Sequence, residues 1–162
     1  MRRSSTIMLW AIALIVWGFA TAAHADTTAD ITALEHKAAN ATSADEALSY
    51  LTSGEDVTFF DISTPLEFSG QKAVRADFEG AFENFKNPKV EFISLHVIPA
   101  GKLAVAYSIQ HMTATDKAGK PLDFTFRVTD VWRKEKDGWK LVHAHVSFPT
   151  DMASGKADMQ SK

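Results

Sequence analysis

The chain has 162 residues, with 17 lysines and arginines against 20 aspartates and glutamates, and no cysteine. That length allows one domain with a sizeable core. The acidic balance with no basic run argues against a nucleic-acid partner, and the lack of cysteine excludes disulfides, thiol catalysis, iron–sulfur centres and cysteine-ligated zinc.

The first segment reads as an export signal. Arg2 and Arg3 precede an uncharged apolar run of 13 residues, Met8 to Ala20, and Ala23-His24-Ala25 follows as a small-x-small cleavage site. A spanning helix needs about 20 apolar residues, so the run is short for an anchor. Cleavage after Ala25 removes 25 of the 162 residues, leaves 137, and takes the net charge from −3 to −5. No later stretch is apolar enough to span a membrane. The expectation is a secreted or periplasmic protein with no membrane association after cleavage, in keeping with a bacterial envelope.

Two helices open the mature domain. Ile31, Leu34, Ala38 and Ala41 fall at helical spacing. Ser43-Ala44-Asp45-Glu46 has the form of a capping box, starting a short helix to about Leu51, with Gly54 placed for a left-handed C-terminal cap. Val57 to Ile62 is a short β-rich run broken by Thr64-Pro65. Val74, Phe78, Phe82 and Phe85 form one apolar stripe on a third helix, about Gln71 to Phe85. The period then changes to 2. Strands are expected at Val90 to Ile98, Lys102 to Thr115, Phe124 to Arg133 and Trp139 to Phe148, the last two joined across Asp137-Gly138. The polar tail, 150–162, is expected to be mobile. Helices followed by a run of strands argue α+β, with the helices on one face of a curved antiparallel sheet.

Strand alternation splits the last hairpin into two faces. One, mostly apolar, carries Phe126, Val128, Asp130, Trp132, Val142, Ala144, Val146 and Phe148, and should face the helices. The other carries Arg127, Thr129, Trp139, Leu141, His143, His145 and Ser147. His143 and His145 share that second face. Two imidazoles at i and i+2 suit a metal, but the face offers no third ligand, so no metal and no cofactor is expected.

The hairpin also carries a resemblance. Arg127-Val128-Thr129-Asp130-Val131-Trp132, then Asp137-Gly138-Trp139 and Val142-His143-Ala144-His145-Val146-Ser147, resemble the SnoaL-like branch of the nuclear transport factor 2-like superfamily, near the association domain of calcium/calmodulin-dependent protein kinase II. Leu95-His96-Val97-Ile98, Ala104-Val105-Ala106-Tyr107 and Phe82-Glu83-Asn84 are similar to that domain as well. The likeness spans residues 31–149. It implies a cone-shaped, cystatin-like fold of three N-terminal helices on a curved antiparallel sheet. It also implies a homodimer through the convex sheet face, where Arg127, Thr129, His143, His145 and Ser147 would hydrogen-bond between copies. In the association domain, arginines line the cone; the matching positions here are Ile109, Asp130 and Val146, none of them cationic.

What remains in the expected pocket is an apolar lining with few polar groups: Tyr107, Ile109 and His111 with Leu103 and Val105 from the long strand, then Asp130, Trp132 and Val146. Such a cavity suits a small, largely apolar ligand, although apolar strand faces commonly just pack. The segment Asp56 to Asp61 is similar in spacing to the ketosteroid isomerase stretch that ends in the general-base aspartate, which puts Asp61 in that role. The same carboxylate also suits backbone bonding in a loop before Pro65. Three readings follow: a small-molecule-binding protein without catalysis, an isomerase or lyase using Asp61 as base, and a non-catalytic assembly module.

Overall fold

The computed structural model describes residues 25–161. The expected export signal lies outside them, apart from Ala25. Helix α1 occupies residues 25–39 and presents Ile31, Leu34, Glu35 and Ala38 on one face, with Ile31 fully buried. Helix α2, Ala44–Ser49, starts where the capping pattern placed it: Ser43 Oγ accepts from Glu46 N. Glu46 reaches one residue further back than the box predicts, accepting from the backbone N–H and hydroxyl of Thr42 at 2.8 and 2.7 Å. Gly54 has φ of +87°, but it opens the 3-10 turn Gly54–Asp56, whereas α2 ends on Tyr50 in ordinary helical conformation.

Strands β1, Thr58–Phe60, and β2, Phe68–Ser69, lead into helix α3, Gln71–Asn84. Gly70 holds the turn between β2 and α3 at φ +79°, where the Glu55 carboxyl occupies the space a Cβ would need. Strands β3, Lys86–Ala100, β4, Leu103–Thr115, β5, Pro121–Glu135, and β6, Gly138–Ser147, form the antiparallel run expected from the period of 2. β3 begins earlier than the pattern indicates, because Asn87 at φ 50° and a register shift between Lys86 and Lys89 carry the chain straight from α3 into the sheet.

The sheet order is β2-β1-β6-β5-β4-β3. β1 runs parallel to β6, pairing Thr58 with His143, Phe59 with Ala144 and Phe60 with His145. The sheet is therefore mixed, where the alternation pattern led to an antiparallel one. The approach to β1 explains the direction. Leu51 already bridges Leu141 in parallel, and Thr52 N donates to Leu141 O at 3.0 Å, so the chain leaves α2 alongside β6.

A bulge sets the phase of β6. Val131 pairs with His143, but Trp132 pairs with Leu141, so Val142 is the extra residue. Beyond it the faces exchange. Leu141 and Trp139 turn into the core beside Trp132, in place of Val142. The tail folds back: β7, Thr150–Asp151, pairs with β8, Lys156–Ala157, and Met159 O accepts from Thr125 N.

One core cluster joins helices to sheet through Ile31, Leu51, Val57, Val74 and Trp132. A second gathers Met112, Phe124, Phe126 and Val128 with Phe85 and Phe148. The cavity described next has walls from both.

Candidate functional site

Small helical residues facing large sheet residues leave space. Ala38 and Ala39 of α1, Ala47 of α2 and Ala81 of α3 stand opposite Phe59, Met112, Phe124 and Phe126, and the gap is a cavity of about 250 Å³. An inner lobe of about 210 Å³ shares Ala38, Phe59, Phe78, Phe126 and Val146 and reaches Glu35, Gln110 and Asp130. A third space, about 470 Å³, adjoins between α3 and the segment Asp61–Thr64. The walls are apolar; carboxyl groups sit at both ends.

At the mouth, Asp61 follows β1 and Asp77 lies nearly two turns into α3. Ser63 Oγ is 3.1 Å from Asp61 Oδ2 and 3.3 Å from Asp77 Oδ1. One hydroxyl hydrogen serves only one of them at a time. Burial and the charge of Asp61 push Asp77 up to about 6, against the lowering effect of Ser63.

At the floor, Trp132 Nε1 donates to Glu35 Oε1 at 2.6 Å, with both side chains buried. Asp130, 8% exposed, hydrogen-bonds to Glu35. Burial raises both carboxyls, and the Glu35 charge raises Asp130 further, well above the usual carboxylate range. The bonds from Trp132 and Asp130 act the other way on Glu35. Both carboxyls of the pair therefore hold a proton more readily than exposed ones. No donor among the described residues reaches Asp130 Oδ1. Beside this pair, Gln110 Nε2 donates to Ser108 Oγ at 2.9 Å.

The residues singled out from sequence divide between the two sheet faces. Asp61 and Val146 line the outer cavity, and Asp130 and Val146 line the inner lobe. Trp132 is fully buried behind them, and its indole N–H is spent on Glu35. Tyr107, Ile109 and His111 do not enter the cone. The register pairs them with Thr129, Arg127 and Thr125, while Ala106, Ser108, Gln110 and Met112 pair with Asp130, Val128, Phe126 and Phe124. The long strand was read one residue out of phase, because its larger apolar residues face outward. Tyr107 and Ile109 are 44% and 42% exposed, and His111 Nε2 lies 3.0 Å from Asp123 Oδ1.

On that outer face Tyr107 stacks on His96, and Thr129 and His145 continue the row to Phe60. His143 Nδ1 bonds the Thr58 hydroxyl at 3.0 Å. Arg127 Nη2 donates to Phe148 O, and Ser147 pairs with Arg127 across β5 and β6. Among the described residues, no three His, Cys, Asp or Glu side chains cluster for a metal.

Sequence reasoning missed Glu35 and Asp77. Glu35 had a signal, since it interrupts the apolar stripe Ile31, Leu34, Ala38 one turn after Ile31. Asp77 directly precedes Phe78 on α3, at the edge of that helix's apolar stripe.

The family model of the SnoaL-like domain matches residues 24–151. The chain belongs to the SnoaL-like family. No curated protein matches it in sequence. Among solved structures, this SnoaL-like domain is similar to a nuclear transport factor 2-like protein of unknown function from Pseudomonas putida KT2440. That likeness has 24% identity, covers 85% of this chain and 97% of the other, and has a TM-score of 0.74. A calcium/calmodulin-dependent protein kinase II association-domain-like protein from Xanthomonas campestris is 20% identical, over 74% and 83% of the two chains, with a TM-score of 0.63. A ketosteroid isomerase-like protein from Erwinia carotovora atroseptica is 19% identical, over 74% and 94%, also at 0.63. At these identities the likeness carries the fold: an α+β cone of the nuclear transport factor 2-like type.

Proposed function

We propose that this SnoaL-like domain is an exported protein that takes a small, largely apolar molecule into its cone. The observation that carries the reading is the cavity itself: alanines on three helices face phenylalanines from the sheet, and the space between them continues from a mouth at Asp61 and Asp77 to a floor at Glu35 and Asp130. Concave apolar space with few polar groups at its ends is the general form of a small-molecule site. An assembly module would need only a filled cone.

The test is an NMR titration with cyclohexanone. Shifts should concentrate at residues of the cavity wall, and Ala81→Phe, which places a ring in the outer cavity, should abolish them. Shifts that ignore the wall, or that persist unchanged in Ala81→Phe, would overturn the reading. Export is checked by intact mass of the secreted product, expected to begin at Asp26.

The second reading is proton transfer by Asp61, supported by its place on the wall next to Asp77. A homodimer through the convex face belongs to either reading. It is supported by Tyr107, Ile109, Leu103 and Ile98, all exposed beside Thr129 and His145.

A further inference from the structure

On the inward face of β4, Ser108 and Gln110 stand between Ala106 and Met112, in register with Val128 and Phe126 of β5. Both are buried, and Gln110, only 4% exposed, lines the inner lobe. A glutamine amide carries two N–H donors and one carbonyl acceptor. Here it makes a single hydrogen bond, from Nε2 to Ser108 Oγ at 2.9 Å. Gln110 Oε1 accepts from no described residue, yet it is not sealed by packing: among the described residues, the side-chain polar atom that is both sealed and unpartnered is Asp130 Oδ1. The carbonyl end of the Gln110 amide therefore opens on the lobe that its residue lines, from a side chain more than nine-tenths buried.

That amide defines which ligand group fits. Ser108 holds one N–H, which leaves one acceptor and one donor, carried by two atoms on the same carbon. The walls beside it are apolar, with Phe59, Phe78, Phe126 and Val146, and a polar group left unpaired against such walls is costly. A ligand that displaces water from the amide without matching both of its groups loses affinity. A ketone matches only the donor, an ammonium only the acceptor, and a hydroxyl must serve both from one atom. A carboxylate matches only the donor and also meets Glu35 and Asp130 in a lobe lined by no lysine, arginine or histidine. A carboxamide with its N–H and C=O on one side, as in a lactam ring, matches both groups and carries no charge.

We infer that the cone selects a small apolar molecule bearing a neutral carboxamide of the lactam type, held by the Gln110 side chain with its hydrocarbon part against Phe59 and Phe126. This deepens, and rests on, the small-molecule-binding reading above.

The test compares 2-piperidone, 1-methyl-2-piperidone and cyclohexanone, three six-membered rings that share a carbonyl, of which only the first has an N–H. Affinities are measured by NMR titration of the wild type and of Gln110→Met, which keeps the length of the side chain and removes the amide. The variant should weaken 2-piperidone about thirtyfold and cyclohexanone about fivefold, two hydrogen bonds against one, with the N-methyl compound following the ketone. In the wild type, 2-piperidone should shift the Gln110 side-chain NH2 resonances, a readout that needs no variant. Unmoved resonances, or affinities that Gln110→Met leaves unchanged, overturn the inference while cyclohexanone binding at the wall keeps the cavity reading. Equal losses for lactam and ketone show that the amide presents only a donor and overturn the choice of a carboxamide. Binding of cyclohexanone without binding of 2-piperidone overturns the inference alone, and binding of neither overturns both.

Discussion

Trp132 Nε1 and Glu35 Oε1 meet at 2.6 Å across 97 positions of sequence, tying the middle of β5 to the inner face of α1. The bond is buried and short, so its loss, which leaves a buried acceptor unpaired, should exceed that of an average hydrogen bond. Trp132→Phe keeps an aromatic ring and removes the donor. It should destabilise the fold by about 2 kcal/mol, a fall in Tm of roughly 4–8 °C, and combining it with Glu35→Gln should recover part of the loss. Calorimetry of the two single variants and the double variant measures this. Strict additivity would show that the two side chains do not communicate.

The raised carboxyls give stability a definite pH direction. Glu35, Asp77 and Asp130 are each raised in the folded state. Each therefore stabilises fully below the ordinary carboxylate range and loses that contribution as pH rises through its folded value. For Asp77 the loss runs from the ordinary carboxylate range up to about 6. The lowered groups Glu46, Glu91, Glu135 and Asp151 act in the opposite sense, at lower pH. Urea midpoints should fall between about pH 5 and about pH 8. Asp77→Asn should remove the part of the fall that ends near 6, and Asp130→Asn a part that extends to higher pH. A wild-type midpoint that rises over this interval would contradict the assignment.

The outer sheet face should join two copies. Tyr107 and His145 lie in one cross-strand row with His96, Thr129 and Phe60. Tyr107→Glu or His145→Glu places a charge where a partner would cover it, which is strongly unfavourable. Light scattering should report a dimer for the wild type and a monomer or aggregate for either variant. Persistence of the dimer in both would move the interface to another surface.

Asp61 decides between binding and catalysis. Asp61→Asn keeps shape and removes a base. With small enolisable ketones in deuterium oxide, the binding reading expects no solvent exchange in either protein. An isomerase or lyase would show exchange in the wild type and lose roughly 10²-fold or more in the variant. Exchange at equal rates in both would place the base elsewhere.

The element order and the helix stripe Val74–Phe78–Phe82–Phe85 were legible because each rests on local periodicity. The phase of β4 was not. Its large residues Tyr107 and Ile109 face outward, while Ala106, Ser108 and Gln110 face in, so hydrophobicity alone pointed the wrong way. The bulge at Val142 likewise reversed Trp139 and Leu141, since one extra residue flips every side chain beyond it. The parallel direction of β1 depends on where α2 delivers the chain, which no window of sequence contains. At the site, Asp61 and Asp130 were visible as polar residues in apolar runs, and Glu35 was overlooked although it has the same mark.

Because β1 lies beside β6, Thr58 waits for His143, a residue 85 positions later. A ribosome releases the chain from its N-terminus, so α1, α2 and α3 emerge well before the strands that cover their apolar faces. Contacts of such long range close slowly, and the uncovered faces invite association in the interval. The protein is thus built to remain unfinished until its final hairpin arrives.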